Sequence, residues 1–407
     1  SGDIDVDGTT NLDIVDVDVS LTVDGTVKLN GNFPTGTDNI ALGNAALSGG
    51  SLSGAGNIAI GDSVLQNMTS GSNAVAIGRD AMNTGIYTGG DAIAIGRAAL
   101  QNLTTGSNNV AIGGLALTSN TTGPSNTAVG YVALTANTTG TQNVAVGAYA
   151  LDANISSNNS TAIGYAALSL NTGASNTAVG ASAMVDNTSG VNNTAIGVNS
   201  LTNNTTASFN IALGGSSLAA NTTGASNTAV GYTALTANTT ASNSTAVGYQ
   251  ALTANTTGAT NTAFGKGALL ANTTGNTNVA VGANALAANV DGDKSVAVGV
   301  DALAAQDPAS NVDMYNVAVG DSAGKSVTTG VENTLIGALA GDAITTASNT
   351  TAVGKSALGA NTTGNNNTAV GYNAMDAATT GIQNSALGAN ALGALTTGNN
   401  NVGLGVG

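Results

Sequence analysis

Cysteine, histidine and tryptophan are absent from this chain of 407 residues, which has 3 prolines and only 3% aromatic residues. Without cysteine there is neither a disulfide framework nor a thiolate metal site, a property that fits any compartment. Without histidine or cysteine, a catalytic triad lacks its usual base and its thiol nucleophile, and no enzymatic activity is expected. Charge is scarce as well: 7 Lys and Arg stand against 22 Asp and Glu, for a net charge of −15. So few scattered cations cannot neutralise a phosphate backbone, which argues against nucleic acid as a partner. No apolar run approaches the roughly 18 residues of a spanning helix, so membrane insertion is not expected, and Ser1 opens no signal peptide. Neither end reads as a natural terminus, and the chain is expected to be a piece of a larger or processed product.

What is abundant is regular. There are 57 glycines, and the 42% hydrophobic residues recur at fixed places, unlike those of a disordered chain. A glycine closing an (Asn/Ser)-x-Ala-(Val/Ile/Leu) tetrad returns twenty-two times between Gly43 and Gly405, almost always at a step of seventeen residues. A short fixed period means one small unit stacked on itself, because a single copy cannot bury a core alone. The reading is all-β: a parallel β-solenoid or β-roll of about twenty-two seventeen-residue coils over residues 39–407, with an irregular longer coil at 300–319. Residues 1–38 form a separate Asp-rich segment in which apolar residues alternate with Asp and Thr, as in half-buried strands. Its row Asp3, Asp5, Asp7, Asp13, Asp16 and Asp18 is a candidate calcium ligand set or a solvated strand face.

Comparing the copies gives each position a role. The residue before the glycine is always apolar, as in Ile60, Val129, Val247, Phe264 and Leu387, and is expected to face the coil's core. The residue two before is Ala in twenty of twenty-two copies, with Leu335 and Gly403 the exceptions. So strict a preference reads as close approach of another chain or coil. Four after the glycine stands Leu in sixteen of twenty-one copies and Met in three, a second core column. The coil then turns through Asn-Thr-Thr-Gly, as in Asn137 to Gly140 and Asn255 to Gly258, where Asn and Gly are expected to take positive φ and stacked Asn side chains to bond along the axis. Two large apolar residues per coil make a thin core, which hardly offsets the ordering entropy. A second buried surface on the alanine side therefore predicts a homotrimer of parallel coils, intertwined or side by side.

The residue after the glycine varies freely and carries four of the seven basic residues, so it is expected to be exposed. Tyr131, Tyr165, Tyr232, Tyr249 and Tyr372 share this column, and an exposed tyrosine ladder could stack sugar rings or merely its neighbours. The only acidic concentration in the array surrounds the twenty-one-residue step from Gly299 to Gly320, with Asp291, Asp293, Asp301, Asp307 and Asp313. There Pro308 suggests a protruding loop, and Asp291, Asp293, Asp307 and Asp313 are candidate calcium ligands; the alternative is a tolerated corner insertion. No other cofactor is indicated. Thr121-Thr122, Thr138-Thr139, Thr239-Thr240 and Thr256-Thr257 form a column that leaves ice binding as a remote alternative.

Asn109-Val110-Ala111-Ile112-Gly113 and Asn143-Val144-Ala145-Val146-Gly147 resemble the head repeat of trimeric autotransporter adhesins. The longer NTAVGYxALxxNTTG form is similar to repeats of marine bacteriophage tail fibres, as is the opening DIDVDGTTNLDIVDVD. The resemblance covers nearly the whole chain and implies a left-handed parallel β-roll assembled as a trimer. It further implies a structural fibre or spacer of a phage virion, located on the virion surface or otherwise extracellular, with attachment to a host-surface glycan or protein. The alternative it carries is a bacterial cell-surface adhesin or extracellular filament built from the same coil.

Overall fold

The computed structural model describes residues 38–49 and 52–407. The expected strands and acidic row before Asp38 lie outside the described residues. Within them are twenty-two strands of three residues, from Ile40–Leu42 to Val402–Leu404, and no helix. All join one parallel sheet in which each strand pairs with those one repeat away, like against like: Thr228, Ala229 and Val230 face Thr245, Ala246 and Val247. The chain is therefore a parallel β-solenoid with one strand per coil, and the seventeen-residue step is the length of one turn. At about 4.8 Å per coil the stack is on the order of 100 Å long.

The stretches between strands are bonded as regularly as the strands themselves. In one coil Leu235 N donates to Ala251 O at 3.0 Å, Ala237 N to Thr253 O at 3.1 Å, and Asn243 N to Ala225 O at 3.0 Å. Backbone polar groups thus find partners in the next or previous coil, which a backbone closed around a dry interior requires. The repeat glycine makes this geometry possible at Gly231. Its φ is +137°, and a Cβ there would lie 2.4 Å from the Gly248 carbonyl oxygen, so both conformation and space demand glycine.

The strand faces are the reverse of the sequence expectation. Ala229 is fully buried inside its own coil, as are Ala212, Ala246 and Ala263. The apolar residue before the glycine points outward instead: Val230 is half-buried, Phe264 is 56% exposed and Leu387 54% exposed. The two faces of the strand do lie in different environments, but the alanine side is the interior one. A coil whose interior already holds a leucine has room for only a methyl group opposite it. Ala229, Ala234 and Leu235 fill that interior, together with buried Asn227 and Asn238. The alanine column therefore marks close packing within a coil and gives no evidence of a partner chain.

The corners differ as well. Neither Asn255 nor Gly258 has positive φ; the left-handed residues are Ser226 (φ 59°), Thr233 (φ 55°) and Leu235 (φ 52°), besides Gly231. Each of the three uses its reversed peptide to aim an N–H along the axis: Ser226 N to Ser208 O at 3.1 Å, Thr233 N to Gly215 O at 3.0 Å, and Leu235 N to Ala251 O at 3.0 Å. These bonds offset a backbone cost on the order of 1 kcal/mol per residue. Glycine at 258 answers crowding, since a Cβ there would meet the Gly275 carbonyl oxygen at 2.3 Å.

The expectation that Asn side chains stack holds in two ladders. At the corner, Asn238 Nδ2 donates to Asn221 Oδ1 at 2.8 Å and Asn255 Nδ2 to Asn238 Oδ1 at 3.0 Å. Before the strand, Asn227 N donates to Asn210 Oδ1 at 2.9 Å, while Asn227 Nδ2 reaches Ala241 O at 2.8 Å. The corner ladder ends at Gln306, whose amide donates to Asn289 Oδ1 at 3.0 Å and accepts from Asn316 Nδ2 at 2.9 Å, joining the two columns. Beyond it the corner holds buried Val327 and Ile344, then a lone Asn361 whose Nδ2 donates to Gly364 O at 3.0 Å, then buried Ala378. The long coil bulges only at residues 309–313; Pro308, expected to protrude, is buried beside Gly292, as is Met314.

Candidate functional site

Each coil presents three outward features: the outer face of its strand, the residue after the glycine, and the threonine corner. Of the two outward columns on the strand face, the one before the glycine is apolar along the whole stack. Ile112, Ile163, Ile196, Phe264 and Ile336 stand exposed in it, while the second outward column, three before the glycine, is Thr or Ser in eleven of the twenty-two strands and Val or Ile in the others. Two outward side chains per strand make a stripe roughly 7 Å wide and roughly 100 Å long. The unbroken apolar column takes up about half that width, an area within the 300–600 Å² of the largest apolar patch on a typical monomer but drawn out along the whole stack.

The tyrosine column is exposed, from 48% at Tyr131 to 60% at Tyr165. It does not form one continuous ladder. Tyr232 and Tyr249 stack with ring centroids 6.1 Å apart and planes at 10°. Tyr131 and Tyr165 are bridged by Tyr149, which meets them edge-on at 5.7 and 5.9 Å. Tyr149 lies one residue later than the column, and the period alone did not flag it. Tyr372 lies far along the stack from both groups, between the coils of Lys355 and Ala389.

The four candidate calcium ligands are not gathered into a cage. Asp313 Oδ2 accepts from Lys294 Nζ at 2.7 Å and from Tyr315 Oη at 3.0 Å. The Lys294 bond is the main cause holding the Asp313 carboxyl below its ordinary pKa, and the same bond raises that of Lys294. Asp293 Oδ1 caps Asn276 N at 2.6 Å, and Asp307 Oδ1 accepts from Val290 N at 3.3 Å. Asp291 has one carboxylate oxygen buried with no partner. Nearby Asp301 is held below its usual range by Asn284 and then by Lys325, whose Nζ lies 3.2 Å away. No group of three or more acidic side chains among the described residues is placed to hold a metal ion.

The threonine corner spends half its hydroxyls internally. Thr121 Oγ1 donates to Thr138 O at 3.2 Å, Thr239 Oγ1 to Thr256 O at 3.1 Å, and Thr256 Oγ1 to Thr273 O at 3.1 Å. Only the second residue of each pair, Thr122, Thr139, Thr240 or Thr257, is exposed, which leaves a single file in place of a flat double array.

These features define an all-β repeat protein whose surface is one apolar stripe beside a variable aromatic and charged column. Comparison with protein-family models and with curated proteins finds no match to this chain. Among the described residues no helix is long and apolar enough to cross a membrane.

Proposed function

We propose that the chain is the shaft of a homotrimeric structural fibre of a phage virion, exposed on the particle and touching host-surface glycans through its tyrosine column. The observation that carries the reading is the apolar stripe on the outer strand face. A rod with one such face along its length is complete only when that face is covered, and copies of the same chain offer an identical stripe in identical register. Three copies around a common axis follow from the family resemblance, with the stripes turned inward and the tyrosine column left accessible. Axial hydrogen bonding through every coil, two asparagine ladders and scarce charge suit a stiff, protease-resistant spacer. The proposal assigns the chain no catalysis, no nucleic acid and no insertion into a membrane.

Sedimentation equilibrium tests the assembly: the expected mass is three times the 38.7 kDa of the chain. Replacing Val247 and Val281, both on the outward face, by lysine is expected to shift that mass toward one chain. A well-folded monomer in the unaltered protein would sink the proposal. Electron micrographs of a particle carrying the protein, labelled with an antibody against the array, test the location; labelling of a cell surface would favour an adhesin instead.

A further inference from the structure

The column after the repeat glycine runs Asp62, Arg79, Arg97, Gly114 and Tyr131 through five successive coils. Backbone pairing holds them in line: Asp80 N donates to Asp62 O at 3.1 Å, Ala98 N to Arg79 O at 2.9 Å, Leu115 N to Arg97 O at 2.9 Å, and Val132 N to Gly114 O at 3.0 Å. Arg79 and Arg97 therefore stand about 4.8 Å apart at the backbone. In a chain of net charge −15, this is the one place among the described residues where two cations share the column in neighbouring coils. Arg79 Nε lies 3.6 Å from Asp80, an exposed pair of little strength, and Arg97 makes no ion pair among the described residues. Like charges so close repel unless an anion lies between them.

The next coil has no side chain at Gly114, and the Tyr131 ring leans into that space toward Arg97. A Cβ on Gly114 would lie 3.5 Å from Tyr131 Cδ2. From Arg97 to Tyr131 is two coils, about 10 Å, so a sugar ring lying on the solvent side of the Tyr131 ring can extend a substituent to the Arg97 and Arg79 guanidinium groups. We propose that Arg79, Arg97 and Tyr131 form a contact site for a carboxylate-bearing sugar, a uronic or sialic acid unit of a glycan. The guanidinium forks match a carboxylate, and the tyrosine ring takes the apolar face of the pyranose. This rests on the glycan reading above and narrows it to an acidic ligand at one end of the column. The overall negative charge repels polyanions at large, so capture depends on this local pair.

The test is calorimetric titration of the full chain at low ionic strength with polygalacturonate, sialyllactose, neutral lactose and dextran, and polyglutamate as a polyanion without sugar. At least one acidic glycan is expected to bind, at least about tenfold more weakly in the R79Q/R97Q variant and in Tyr131→Ala, and unchanged in the distant Lys355→Gln. All four side chains are exposed, so circular dichroism is expected to match the unaltered protein. Equal binding by R79Q/R97Q, equal binding of polyglutamate, or no binding of either acidic glycan overturns the site. If neutral sugars bind and Tyr232→Ala abolishes that binding, the glycan reading stands while the acidic site falls. If no sugar binds, both fall.

Discussion

Leu335 is the one large residue in a column of alanines, and the two glycines in the leucine column, Gly324 and Gly341, lie on either side of it. A Cβ on Gly324 would come within 2.6 Å of Leu335 Cδ1, and one on Gly341 within 2.8 Å of Leu335 Cδ2. Leu335, fully buried, thus fills most of the space that two leucines occupy elsewhere, with Ile344 Cδ1 also 2.7 Å from where the Gly341 Cβ would lie and Val327 Cγ2 3.3 Å from that of Gly324. Leu335→Ala alone leaves a cavity lined by glycines that cannot collapse into it, and its cost is expected in the upper half of the 2–5 kcal/mol range. Gly341→Leu alone overpacks the same space and costs about 1–3 kcal/mol or more. The triple variant L335A/G324L/G341L brings back the prevailing alanine and leucine positions, with Ile344 and Val327 at the corner turning aside for the new side chains. Both glycines hold φ near +57°, a left-handed conformation that the leucines of other coils take at 49–55°, so the backbone need not move but each Gly→Leu exchange adds a cost on the order of 1 kcal/mol. Its stability is expected to lie between that of L335A and that of the unaltered protein, because refilling the volume offsets the left-handed cost of two leucines. A long solenoid does not unfold in two states, so the suitable measure is native-state hydrogen exchange on peptides spanning residues 320–354. If the triple variant is no more protected than L335A, the three positions do not share one volume and the reasoning fails.

Asn238→Ala removes the partner of both Asn221 and Asn255 in a dry column and is expected to cost about 1–3 kcal/mol; replacing Asn238 and Asn255 together by valine should cost less than twice that, as thermal denaturation would show. The Asn-Thr-Thr sequons at Asn120, Asn137 and Asn255 are fully buried with their amides engaged, so mass spectrometry of folded protein from a eukaryotic secretory host should find no glycan on them. The Lys294–Asp313 tether has two pH limits. The depressed Asp313 stabilises it above the usual carboxylate value of about 3.9, an effect lost as pH falls through its lower folded pKa. The raised Lys294 stabilises it below about 10.4, an effect lost as pH rises through its higher folded pKa. Proteolytic clipping of residues 309–313 should therefore rise at both extremes, and Lys294→Met should clip equally at neutral and extreme pH; a flat profile in the unaltered protein would count against the tether.

How much of this was legible beforehand varies with the kind of signal. The period gave the coil, because a unit too small for its own core must stack, and stacking in register repeats every requirement at the same residue. The buried asparagines were legible as a column for the same reason, as was the exposure of Tyr131 and Tyr232. Tyr149 was missed because its contact with Tyr131 and Tyr165 depends on where side chains reach, which sequence spacing does not fix. The acidic residues of the long coil were close in sequence, yet each found a separate partner once the backbone was placed.

The chain's sequence by itself determined that there is one strand per seventeen residues, that its side chains alternate between two environments, and that the same residue types stack along the axis. It did not determine which environment is inside. Alternation is symmetrical under exchange of faces, and hydrophobicity favours putting Val230 inside and leaving Ala229 against something else. Only closure of the coil settled the matter: a seventeen-residue turn bent by left-handed Ser226, Gly231, Thr233 and Leu235 encloses space for one leucine and a few methyl groups. The larger side chains are excluded from that interior, and their exclusion makes the apolar stripe on the outside.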